Sequence, residues 1–286
     1  MALWLKIVIG VVVALVVLVI WAIRRAANPP KVPPPNAQTV ARRALCLGAF
    51  HMRGELEALF QMTTNVLSAM DKAEGAERMA AKLAEPAGKI NSWLKAESLW
   101  EALSLEERVE LDRPLGKWRD QTCRDATWRA ESQAVLCWAL GLMDLPAPDE
   151  QVEAEKAVQV LPHMKPAAAF IASAACRPHA QIEKARDMGE LWHWRSRTTQ
   201  LMKRPSPPKL PDGLTFDKII TMTCDKARED GAFVPIGGDF PSKGKPYRDL
   251  SDEEYSEQTS ISMERHYALN WLCGFSANWD TVPTDT

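Results

Sequence analysis

A carboxylate stands where an apolar side chain belongs. In WRAESQAVLCWALG, residues 128–141, helical spacing places Trp128, Glu131, Val135, Trp138 and Leu142 on one stripe, and Glu131 alone is charged. Two more helical stretches repeat the pattern. Arg195 shares a face with Met188, Leu191, Trp192 and Met202, and Arg265 shares one with Ile261, Ala268, Leu272 and Phe275. A lone carboxylate taken out of water costs several kcal/mol or stays protonated. An arginine cannot shed its proton, so it must be paired or reach solvent. The reading that satisfies all three is a buried ion pairing in which Glu131 accepts from Arg195, Arg265 or both. The alternative is a functional cluster, with Glu131, Asp239 and His266 forming an acid/histidine cleft of a hydrolase.

Around these residues the pattern is mainly α from Ala37 onward. Helical stretches are expected at 38–53, ended by Gly54, then at 55–70, 120–143, 179–203, 215–230 and 252–274. Ser104-Leu-Glu-Glu107 and Ser251-Asp-Glu-Glu254 are capping boxes, in which a serine side chain and a glutamate three residues on satisfy each other's backbone N–H groups. A short irregular or β-hairpin insert is expected near 231–250, where glycines and prolines cluster. Residues 204–213, also proline-rich, mark a candidate internal boundary. Ala130, Ala134, Cys137 and Gly141 form a small-residue face suited to close helix approach.

The N-terminus differs. Residues 7–23 contain no charged side chain, and with the residues before them they are long enough to span hydrocarbon. This predicts a single transmembrane helix within an anchor at 1–25, contacting membrane lipid through 7–23. A proline-rich linker at 26–36 and a helical domain at 37–286 would follow. Arg24, Arg25, Lys31, Arg42 and Arg43 follow the segment and only Lys6 precedes it, so the positive-inside rule puts the C-terminal domain in the cytoplasm of a bacterial inner membrane. The proline-rich stretch reads as a semi-rigid spacer.

Composition removes several function classes. The chain holds 35 basic and 37 acidic residues, and three of the basic ones lie in the N-terminal segment, so no basic field is left to bind nucleic acid. The six cysteines form no C-x-x-C pair, and neither a zinc spacing nor a phosphate or dinucleotide loop is present, so no metal and no cofactor is implied. Glu190-x-x-His193 has the spacing of di-iron bundle ligands, but only one such motif occurs, where those sites use two. GGDFP at 237–241 places Asp239 in a glycine turn that turn chemistry alone explains.

WRAESQAVLCWALGLMDLPAPDE, ELWHWRSRTTQL, GGDFPSKGKPYRDLSDEE, ERHYALNWLCG and NWDTVPTDT together resemble a bacterial family of unknown function, number 4272 among such domains, over most of residues 37–286. The resemblance implies that Trp128, Arg129, Glu131, Trp194, Arg195, Asp239, Arg265, His266, Trp271 and Asp280 belong to a shared pattern, with the anchor and proline stretch as additions. It transfers no activity and no catalytic residue. The expectation is therefore a membrane-anchored helical domain acting through an unidentified protein partner, as an interaction or accessory component, rather than an enzyme.

Overall fold

The structure is a computed structural model that describes residues 31–70, 73–211 and 213–285. Three prolines, Pro33 to Pro35, hold the chain extended up to Asn36. The Asn36 side chain then accepts the Thr39 N–H at 2.8 Å and opens α1, Ala37–Ala69. α2, Ala73–Ala96, returns against it. α3, Leu105–Leu111, opens with the Ser104 capping box. α4, Asp120–Ala139, lies against α1 as the central packing pair. Gly141, at φ +73°, ends its run in the left-handed region that glycine adopts without strain. Two short helices follow, α5, Ala154–Gln159, and α6, Ala168–Ser173. The long α7, His179–Met202, packs on α9, Asp252–Leu272, which begins with the Ser251 capping box and also packs on α4. Between them lie α8, Phe216–Glu229, and a hairpin in which β1, Pro241–Ser242, pairs antiparallel with β2, Lys245–Pro246.

Gly54 does not break α1. A Cβ there would lie 2.5 Å from the Cβ of Ala126 on α4, so glycine is the residue that lets these helices touch. The main core joins α1, α2, α4 and α9 through residues such as Leu45, Leu47, Ile90, Leu136 and Leu269. A second cluster, Trp192, Ile220, Cys224, Phe240 and Tyr247, binds the hairpin and α8 to α7. It spans the proline-rich joint at 204–213, so α8 sits on the same body as α7. The small-residue face of α4 receives α5: Ala130 and Ala134 pack with Val152 and Ala157.

The expected fold class needs correction. The described chain is mainly helical, but no helix in it is long and apolar enough to cross a membrane. The longest, α1, carries Arg42, Arg43, Arg53, Glu55 and Glu57 and is built to pack in protein. The anchor expected at 1–25, with its apolar run 7–23, lies outside the described residues, and the single-pass membrane description is withdrawn. The described part of the linker, 31–36, does not stand free. The N–H groups of Lys31 and Val32 both donate to the Gly274 carbonyl, at 2.9 and 3.1 Å, just beyond α9. Gly274 has φ +80°, and a Cβ on it would collide with the Val32 carbonyl oxygen.

Candidate functional site

Glu131 is 1% exposed and its oxygens are both taken. Oε2 accepts from Arg265 Nε at 2.8 Å, and Oε1 accepts the Val152 N–H at 2.7 Å. Arg265 donates onward to the carbonyls of Pro146, Ala147 and Glu150, at 3.1, 2.9 and 2.6 Å. The Arg265–Glu131 pair thus fastens the 146–152 loop to α4 and α9. Burial pushes the Glu131 carboxyl above its usual range, against the pull of the Arg265 charge and the Val152 N–H.

Arg195 has a different partner. It grips Asp239 with two parallel bonds, Nε to Oδ1 at 2.7 Å and Nη2 to Oδ2 at 2.8 Å. The same carboxylate accepts the N–H groups of Phe240 and Arg248, at 2.8 and 3.0 Å. Arg195 also lies over the Tyr247 ring, 4.5 Å from its centroid. Burial alone would raise the Asp239 carboxyl, but the Arg195 hydrogen bond and charge outweigh it and hold it below the usual range. Asp239 therefore seats the hairpin on α7.

His266 is fully buried and faces His193, with the two Nδ1 atoms 3.0 Å apart. One ring must donate and the other accept, so the two rings cannot both be protonated. Burial, with the Arg197 charge, lowers His193 to about 4, and burial, with His193 and Arg186, pushes His266 well below its ordinary value. Glu190, three residues before His193, pairs with Arg186 at 3.0 Å. Glu131, Asp239 and His266 are each engaged separately; among the described residues no hydrogen bond or ion pair joins any two of them. Nor do the described residues hold a group of three or more His, Cys, Asp or Glu side chains that could hold a metal ion.

Two further buried pairs follow the same rule. Arg53 pairs with Glu57, whose other oxygen accepts the Gly116 N–H at 2.7 Å. Arg43 pairs with Glu107, the glutamate of the first capping box.

Charge and solvent meet instead in a cleft of about 430 Å³ between α3, the first half of α4 and the turn at 279–281. Phe50, Thr122 and Trp279 lie deep in it, and the Arg43–Glu107 pair reaches it through Glu107. Arg129 enters from α4, its Nη1 bound to both oxygens of Glu264, at 3.0 and 3.1 Å. Leu105 and Val109, one helical turn apart on α3, stand 67% and 49% exposed among its lining residues. Glu106, Asp125, Asp280 and Arg119 complete the polar rim. The sequence pattern singled out Arg129 and Asp280 only through the resemblance, and it did not mark Leu105 or Val109. Their signal was there as two apolar residues at i and i+4 in a helix too short to bury both.

An α-helical body with its interior charges sealed in pairs, and one open acid-rimmed cleft described on its surface, is the class of molecule that these features define. The chain belongs to the DUF4272 family, a domain of unknown function, whose family model matches residues 24–223. The match begins before the proline-rich stretch, which is therefore not an addition to the family pattern. It takes in Trp128, Arg129, Glu131, Trp194 and Arg195 and ends before Asp239, Arg265, His266, Trp271 and Asp280. No curated protein and no solved structure matches the chain.

Proposed function

We propose that the chain is a protein-interaction module that engages its partner through the cleft between α3 and α4. One contrast carries the reading. The groups with chemical potential, Glu131, Asp239 and His266, are closed off with their own partners, while the cleft exposes apolar and charged side chains together. Exposed Leu105 and Val109 beside a concave, partly polar floor are what a docking surface offers. A hydrolase would instead need its acid, base and nucleophile-bearing water around one open pocket.

The test replaces Leu105 or Val109, in the full chain, by a photoreactive phenylalanine analogue and irradiates the cells that make the protein. One dominant protein adduct is expected from these positions and none from Met202, which is 37% exposed on α7 away from the cleft lining. The double change Leu105→Ser, Val109→Ser should abolish binding of that protein without altering the melting temperature. Equal adducts from all three positions would defeat the reading.

A further inference from the structure

We infer that the cleft receives a cationic, amphipathic peptide segment, in which Lys or Arg side chains meet the rim and an apolar side chain meets Leu105 and Val109. The inference rests on the cleft being a docking surface, and it names what docks. The deep charges cancel: Glu107 is held by Arg43, Glu264 by Arg129, and Glu110 by Arg113 at 3.0 Å. The rim does not cancel. Among the described residues no ion pair holds Glu106, Asp125 or Asp280. Asp125 accepts from Gln121, at 2.6 Å, and Asp280 accepts the Glu106 N–H at 3.3 Å. Against these carboxylates stands Arg119, so the mouth of the cleft carries a negative field that favours a positive partner and repels a phosphate backbone.

A second observation points to a peptide rather than a bare cation. Trp279, 5% exposed, lines the cleft and gives it an apolar wall. The ring is fixed by Arg43, 4.4 Å from its centroid on one face, and by the edges of Tyr267 and Trp271, at 5.2 and 5.4 Å. Leu105 and Val109 give the peptide's apolar side chain a place to lose water. The rim charges, screened by solvent, set sign and on-rate more than affinity.

The full chain is titrated by calorimetry with two synthetic peptides that share the same leucine positions, one with lysines between them and one with glutamates, and with spermine. The lysine peptide is expected to bind and the glutamate peptide not. Glu106→Lys with Asp125→Lys should weaken the lysine peptide at least tenfold, and Leu105→Ser with Val109→Ser should do the same. All four positions are solvent-facing enough for the variants to fold, which a thermal melt checks. If both peptides bind and only the serine variant weakens them, docking stands and the cationic partner falls. If spermine binds as tightly and the serine variant has no effect, the site takes small cations and the peptide falls. If the lysine peptide binds every variant alike, it binds elsewhere and both readings fall.

Discussion

Arg265 on α9 and Glu131 on α4 meet at 2.8 Å, and the rest of that guanidinium is spent on three carbonyls of a single loop. The pair is a clamp rather than a reagent. Removing one partner leaves the other buried and uncompensated, which costs about 3–5 kcal/mol. Glu131→Ala should therefore lower the free energy of urea unfolding by about that amount. Glu131→Gln, which keeps an acceptor for Arg265, should cost less. Equal and small losses in both would remove the clamp from the list of fold determinants.

Acid should unfold the domain in two ranges. The histidine pair is held neutral, with folded values below the unfolded value near 6.5. Its contribution is complete above about pH 6.5 and is lost as the pH falls from there toward about 4, where His193 titrates in the folded chain. Each proton taken up only by the unfolded chain lowers stability by about 1.4 kcal/mol per pH unit. Urea midpoints between pH 7 and pH 4.5 should fall, and His193→Asn should flatten that slope; a slope unchanged by the substitution would disprove it.

Asp239 acts lower. Its folded value is depressed, so its contribution is present above the usual aspartate range, near 3.9, and vanishes as the pH falls through the folded value. Asp239→Asn loses the ionic half of the two-bonded grip on Arg195 at every pH above that. The hairpin should loosen first: amide exchange at Phe240 and Arg248, whose N–H groups bond this carboxylate, should accelerate more than exchange in α4.

Gly274→Ala tests the docked arm. The new methyl would strike the Val32 carbonyl and the backbone would be strained at φ +80°. Protection of the Lys31 and Val32 amides should be lost while α9 keeps its own. Retained protection would mean that the arm is held by something other than the Gly274 carbonyl.

What could be read from sequence was whatever is local. The capping boxes at Ser104 and Ser251 sit within four residues each, and both open helices. The intruding charges at 131, 195 and 265 were visible as breaks in a helical period, and all three are buried. Which oxygen each arginine meets was not legible. Asp239 is 44 residues from Arg195 and lies in a glycine turn, where its local chemistry gave a sufficient account and hid its partner. Gly54 was misread as a stop because a glycine that admits a neighbouring helix and one that ends its own look alike in one dimension. Arg53 and Glu57, four apart, offered a helical pair that only the structure shows to be buried and turned toward Gly116. The cleft was hidden for the opposite reason: its walls come from α1, α3, α4 and the turn at 279–281, and no one of these announces it.

The arginine that grips the 146–152 loop also fixes the loop's register. Its donors meet carbonyls of particular residues, Pro146, Ala147 and Glu150, while Glu131 takes the amide of Val152. A slip of one residue would carry those carbonyls off the two terminal nitrogens of Arg265 and the Val152 amide off Glu131, leaving only the Glu131 carboxylate to hold the guanidinium. Inserting or deleting a residue there is thus an error the interior can count, even though the loop itself lies at the outside of the molecule.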